Sequence, residues 1–337
     1  MIRINRIERV GDTSEVAGAR RAAAECASAS RLSETAAGNA ALLATELATN
    51  LLKHAGGGSM LFGTDESRPQ AMTITAIDKG RGMINVAAAM QDGYSTAGSQ
   101  GTGLGAVERR ATSLDIYTMP DKGTVIHCTI ADDAPRSSSP FDIQPRIAIA
   151  GLSLPKPGET AFGDAWIAMR GNDTVTVAVA DGLGHGPAAA TASAAAVRIF
   201  AGGAEQPLEQ LMQDAHAALR PTRGAAVGIA RIYPQQRRVD FIGSGNIAGT
   251  IADDEGMRKT VSLPGIVGHE MRKLQTFSYP WSASSVLILH SDGLSASWAT
   301  KTYPGLLQHE AALIAAVLYR DHCRGNDDAT VVAAKAS

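Results

Sequence analysis

Val175–Gly186 reads VTVAVADGLGHG: alternating β-branched and small apolar residues run into Asp181-Gly182, and more glycine follows. Such alternation is the pattern of a buried strand, which would hold the acid at its C-terminal end against the surface of a core. By itself Asp-Gly is a strong hairpin signal. The pattern recurs, however. Ser285–Gly293, SVLILHSDG, carries a second apolar run into Asp292-Gly293. Asn326-Asp327-Asp328-Ala329-Thr330 sets adjacent acids just before Val331-Val332, and Gly163-Asp164 precedes Ala165-Trp166-Ile167. Carboxylates gathered at strand ends, without a nearby His or Cys cluster, suit a hard, oxygen-seeking cation. Mg²⁺ or Mn²⁺ fits this donor set better than zinc. Two such ions can share a bridging water, lower its pKa and aim it in line at phosphorus.

The landmarks GDAW, VADGLGHG, RGAAVGI, GSGNI, HSDGLS and NDDATVV occur in that order over residues 146–337. On these motifs the second half resembles the metal-dependent (PPM, type 2C) serine/threonine phosphatases of the SpoIIE branch, among them the stressosome reset phosphatases. The resemblance implies an α-β-β-α sandwich and makes Asp164, Asp181, Asp292 and Asp327 metal ligands, joined by the backbone carbonyl of Gly182. Many members carry another Asp three residues after the first. Here that position is Ile167, which leaves the metal count open.

At 337 residues the chain is long for one domain and comfortable for two. Its formal net charge of −2 offers no basic surface for nucleic acid or anionic lipid. The opening MIRINRIERVGD has no apolar core like that of a signal peptide, and no apolar run approaches the ~20 residues that cross a bilayer. Cys26, Cys128 and Cys323 form no CxxC pair and read as reduced thiols of a cytoplasmic protein.

In the first half, Ile2 and Ile4 alternate like a short strand, and Asp12 with Glu15 forms a helix-start signature. A second helix is expected over Ala36–His54, with Leu43, Leu47 and Leu51 toward the core and Glu46, Asn50 and His54 as a separate stripe. Such a stripe is ordinarily a solvated face. Gly56-Gly57-Gly58 and the motifs beyond it argue otherwise. MTITAI (72–77) is a strand that ends in Asp78-Lys79-Gly80-Arg81-Gly82-Met83. A polar stretch, QDGYSTAGSQ, then leads to Gly101-Thr102-Gly103-Leu104-Gly105 and a helical AVERRATSL. Glycines at a helix start let backbone N–H groups approach phosphate. Gly101, Gly103 and Ala106 match a dinucleotide fingerprint, but a polar loop and not a strand precedes them. No Gly-Lys-Ser/Thr is present for a P-loop.

Glu46-x-x-x-Asn50, DKGRGM and GTGLG, in that order, resemble the N box and the two glycine boxes of the GHKL ATPase/kinase family, and DGYSTAGSQGTGLG is similar to its serine/threonine switch kinases of anti-sigma-factor and stressosome systems. That resemblance implies an α/β sandwich with helices on one face of a mixed sheet. It makes Asp78 the acceptor of the adenine amino group and Gly80 and Gly82 the pocket wall. Asn50 would hold Mg²⁺ against the phosphates of ATP, and Gly101, Thr102, Gly103, Leu104 and Gly105 would cap them. Glu46, one turn before Asn50, would position or deprotonate the attacking hydroxyl.

The domain reading is a kinase-like α/β domain over 1–133, a Pro- and Ser-rich linker over 134–145 and a phosphatase-like domain over 146–337. The resemblances together imply a cytoplasmic partner-switching regulator, one half an ATP-dependent serine/threonine kinase and the other a metal-dependent phosphatase. Both would act on STAS-domain antagonist or scaffold proteins of sigma-factor signalling. The alternative is a phosphatase whose ATP-binding half is a non-catalytic docking or anti-sigma module. A homodimer through the helical faces of the first half is compatible with either. His185, in the GLGHG loop, is a further candidate for touching phosphate or leaving group, and His127 and His216 read as structural.

Overall fold

The computed structural model describes residues 1–68, 70–90, 103–132, 147–271 and 273–336. Gly101 and Thr102 of the second glycine box, the polar stretch before them and the 134–145 linker lie outside the described residues. The chain divides into two compact units, Met1–Ile143 with Ala312–Arg320, and Gln144–Ala311 with Asp321–Ser337.

In the first unit β1 (Ile2–Val10) leads through α1 (Thr13–Ala29) and α2 (Glu34–Asn50) to β2 (Gly58–Asp65) and β3 (Ala71–Ile77). The short α3 (Val86–Ala89), α4 (Gly103–Arg110), β4 (Ser113–Met119) and β5 (Gly123–Ala131) follow. The strands are ordered β1-β2-β3-β5-β4. Each pairing is antiparallel, not mixed: β4 enters at the edge and β5 turns back between it and β3. β1 is longer than its first isoleucines suggested and carries an irregularity between Ile4 and Arg6.

Asp12 caps α1 in a reciprocal capping box with Glu15, as the sequence indicates. α1 and α2 are alanine-rich on their inner faces. Ala19, Ala22, Ala23, Ala40, Ala44 and Ala48 pack with Leu43 and Leu47 over Met60, Phe62, Met72 and Ile74 of the sheet. Small residues allow the helix backbones to approach one another and the strands closely. α2 ends four residues short of the expected helix end and passes into a π-helical turn, Leu51–Ala55, closed by Gly56 at φ 71°. Left-handed φ of this kind is where glycine has no Cβ penalty.

The second unit holds β6 (Ile147–Leu154), β7 (Asp164–Arg170), β8 (Val175–Gly182), α5 (Pro187–Ala201), α6 (Leu208–Leu219), β9 (Ala225–Tyr233) and β10 (Arg238–Ser244). Then come β11 (Ala248–Asp253), β12 (Gly256–Lys259), β13 (Phe277–Pro280), β14 (Val286–His290), α7 (Ala311–His322) and β15 (Ala329–Ala336). Its strands form two antiparallel layers, β12-β11-β14-β15-β6 and β13-β10-β9-β8-β7, with β7 and β8 lying against β6, β14 and β15. Helices α5 and α6 cover the second layer, burying Ala196, Phe200, Leu211, Met212 and Ala215 against Ala178, Ala180, Val227 and Ile229. Residues Ala312–Arg320 of α7 group with the first unit. Among the described residues no helix is long and apolar enough to cross a membrane.

Candidate functional site

The acidic motifs of the second half meet because both layers of the sandwich end at one edge. β7 and β8 pair antiparallel with Asp164 directly opposite Asp181, which in such a ladder sets their Cβ atoms about 5 Å apart on one face. From the other layer, β14 pairs with β15 so that His290 faces Val331. Asp292 therefore leaves β14 beside Asp327 and Asp328, which lead into β15. One hydroxyl joins the layers. Ser291 Oγ donates to Asp164 Oδ2 at 2.6 Å and accepts the Thr330 amide at 3.0 Å.

The two Asp-Gly pairs are not hairpin turns. After Gly182 the chain runs through the GLGHG loop into α5, whose first turn carries Pro187. A Cβ on Gly182 would lie 2.1 Å from the Ala189 carbonyl of that helix, and one on Gly293 would lie 1.9 Å from the Asp328 carbonyl. The glycines are needed for close backbone approach, the first at α5 and the second at Asp328.

Like charges crowd here. Burial holds the Asp181 carboxyl far above the usual carboxylate range, and Asp164, Asp292, Asp327 and Asp328 push it in the same direction. Asp164 is raised chiefly by burial, against the Ser291 hydrogen bond. Burial and then Asp327 raise Asp292, while Arg324 and the Asn246 amide, which donates to Asp292 Oδ2 at 2.7 Å, oppose this. Asp328 is also raised by burial, with its Oδ1 accepting the Lys156 amide at 2.9 Å. Among the described residues no three His, Cys, Asp or Glu side chains already stand in a metal-ready group. The donor set, carboxylate oxygens from four chain segments, fits a hard divalent ion. Nearby, His185 Nδ1 pairs with the Glu159 carboxylate.

In the first unit Asp78 follows β3, with its backbone N–H donating to the Thr124 carbonyl at 3.0 Å. Its Oδ1 accepts the amides of Gly80 at 2.8 Å and Thr124 at 3.2 Å. Burial raises its carboxyl, and those two amides act against it. Gly80 lies against Ala55 of the π turn, and a Cβ there would sit 2.7 Å from the Ala55 Cβ. Gly82, at φ +68°, approaches so closely that a Cβ would stand 2.1 Å from the Met119 carbonyl. Both glycines bring the DKGRGM segment onto its neighbours, as a thin pocket wall requires. Glu46 and Asn50 share one stripe of α2, each half-buried, and Gly103, Leu104 and Gly105 form the first turn of α4. His127 hydrogen-bonds Thr75 Oγ1 at 2.7 Å inside the sheet, and His216 Nδ1 accepts the Gly268 amide, so both are structural.

Sequence reasoning missed four supports: Ser291, Asn246, Asp328 and Thr124. Ser291, Asn246 and Asp328 sit inside quoted motifs and Thr124 lies near the start of β5, but each partner is far away in the chain, and only the pairing of strands reveals it.

Comparison with known proteins finds a separate match for each half of the chain. Residues 11–130 match the histidine kinase-like ATPase domain, and residues 171–337 match the stage II sporulation protein E (SpoIIE) family. The chain is 27% identical over 143 residues to phosphoserine phosphatase RsbX of Bacillus subtilis, covering 42% of this chain and 72% of RsbX. It is 32% identical over 83 residues to serine/threonine-protein kinase RsbT of the same organism, covering 24% of this chain and 62% of RsbT. A solved chain described under the bacterial stressosome, a modular system adapted to control secondary messenger signalling, superposes with a TM-score of 0.53. It is 26% identical and covers 56% of this chain and 100% of that one. One polypeptide thus carries a segment similar to the histidine kinase-like ATPase domain followed by a segment similar to SpoIIE.

Proposed function

We propose that this chain is a two-way switch enzyme of the cytoplasm, where ATP is available. Its first half phosphorylates Ser or Thr on a STAS-domain partner of a stressosome or sigma-factor circuit, and its second half removes that phosphate. The observation that carries the reading is the meeting of Asp164, Asp181, Asp292 and Asp327 at one edge of two layers, in a chain that also sets Glu46 and Asn50 one turn apart on α2. Relatives of each half bear the names of a kinase and a phosphatase, and one solved neighbour is described under the bacterial stressosome.

In the phosphatase half the four aspartates and the Gly182 carbonyl would hold Mg²⁺ or Mn²⁺. Such ions supply a water of lowered pKa and neutralise phosphoryl oxygens. The chain's own part is orientation. Ser291 fixes one oxygen of Asp164, Asn246 fixes one of Asp292, and the Lys156 amide fixes Asp328. In the kinase half, Asp78 with Thr124 would read the adenine edge, and Gly80 and Gly82 would admit the ring. Asn50 would hold Mg²⁺ on the phosphates of ATP, with the segment from Gly101 to Gly105 covering them. Glu46 would take the proton of the attacking hydroxyl.

The test is label transfer followed by a chase. Purified protein, radiolabelled ATP and a STAS-domain protein of the same genome are mixed, and Mn²⁺ is then added with unlabelled ATP. Label should reach the partner with the wild type and not with Glu46→Gln, and it should leave in Mn²⁺ except with Asp292→Asn. Transfer that survives Glu46→Gln removes the base assignment. Absence of transfer in the wild type, with hydrolysis of a small phosphate ester intact, reduces the first half to a docking module.

A further inference from the structure

Leu42 is 47% exposed, one of four large hydrophobics so placed among the described residues. Its neighbour Leu43 is fully buried in the core, so α2 turns one leucine inward and the next outward. Leu42 also extends the functional stripe. Leu42, Glu46 and Asn50 lie four residues apart on one face of α2, about 6 Å per step along the axis. Against that face lies a cavity of about 250 Å³ lined by Leu42, Leu43, Glu46, Ala106, Arg109 and Arg110. Both arginines lie on the exposed last turn of α4. Arg110 is steadied by donation from Nη1 to the Ala106 carbonyl at 3.2 Å.

We propose that this cavity is the subsite that seats the acceptor segment of the protein substrate, and the proposal rests on the kinase reading of the first half. The stripe has a direction. Glu46 stands midway, with Asn50 on the side assigned to phosphate and Leu42 on the other. Arg109 and Arg110 lie four and five residues beyond Gly105, the last glycine of the α4 turn, about 6 Å or more along the helix, at the end of α4 away from the glycines. An apolar side chain, a base and two cations around one small cavity select a matching partner. The segment should carry a Ser or Thr hydroxyl over Glu46, an apolar side chain against Leu42 and a carboxylate toward the arginine pair. No chemistry beyond the transfer already described is involved.

The experiment uses the full chain and a STAS-domain protein of the same genome, with two readouts. Binding is measured by calorimetry in a non-hydrolysable ATP analogue, and phosphorylation is followed as the partner concentration varies. Leu42→Ala should weaken partner binding about fivefold, and Arg109→Glu with Arg110→Glu tenfold or more. KM for the partner should rise in parallel while affinity for the ATP analogue holds, which also reports that the domain is folded. Changing the partner's carboxylate to Lys should restore binding to the double arginine variant. The inference is overturned if partner affinity changes less than twofold in both variants, or if the wild type binds no STAS-domain protein. Weakened binding alongside absent transfer in the wild type would keep the docking subsite and discard the kinase reading.

Discussion

Ser291→Ala is the sharpest probe of how the acidic site is held. Ser291 is fully buried, and its hydroxyl serves two groups at once, the Asp164 carboxylate at 2.6 Å and the Thr330 amide at 3.0 Å. Thr330 is itself tied to β6 through Ser153 Oγ at 2.6 Å. Asp164 is 3% exposed, so water cannot readily replace the lost donor. A hydrogen bond to a charged group contributes roughly 1.5–3 kcal/mol, and a buried amide left without its acceptor costs about 1–3 kcal/mol. Partial relaxation and the removal of one buried hydroxyl offset some of this, leaving a net loss of about 3 kcal/mol. Urea unfolding of the full chain in EDTA, followed by a probe in the second unit such as a tryptophan signal, should show that loss with an unchanged m-value. Free rotation of Asp164 should also raise the Mn²⁺ concentration needed for ester hydrolysis about tenfold, the usual scale for removing the support of a ligand. Stability within about 0.5 kcal/mol of wild type, together with an unchanged Mn²⁺ requirement, would refute the idea that this hydroxyl locks the two layers at the site.

Two further outcomes follow from the first unit. His127 is buried in the sheet, which lowers its pKa from 6.5 to about 4. The unfolded chain therefore binds the proton more readily, so the stabilising contribution is intact above about pH 6.5 and falls as pH drops toward 4, by about 3 kcal/mol in all. Urea titrations between pH 7 and 4.5 should show His127→Leu losing less stability on acidification than the wild type, and parallel losses would dismiss the assignment. Gly82→Ala forces a side chain into φ +68° and onto the Met119 carbonyl. The left-handed backbone alone costs about 1–2 kcal/mol, and the pocket wall must also move. Affinity for a non-hydrolysable ATP analogue should fall at least tenfold, with ester hydrolysis by the second unit unchanged. Wild-type nucleotide affinity in that variant would mean the wall does not contact the base.

Much of the site was legible because its parts are local. VTVAVADG and SVLILHSDG are apolar strands that release an acid at the end, and β8 and β14 form where those runs predict. The capping box at Asp12, Pro187 opening α5 and the glycines around Asp78 are likewise written within a few residues of where they act. What could not be read depends on strand order and register. Nothing near Asp164 says that it will face Asp181, and nothing near Ser291 names a carboxylate 127 positions away as its partner. The adjacent pair Asp327-Asp328 shows the limit most clearly. The two share one local context, but only Asp328 is sealed in, with the Lys156 amide as its partner, because successive residues entering a strand point to opposite faces. Which acid packs into the layer and which stays at its edge is decided by where β15 docks. The π turn after α2 has the same origin. LLKHA is acceptable helix sequence, yet the chain must reach Gly58, whose Cβ would stand 2.5 Å from the Ile77 carbonyl, and the wider turn moves the chain from helix to strand. The turn also places Ala55 against Gly80, so the irregularity that sequence could not show is what shapes the wall beside Asp78.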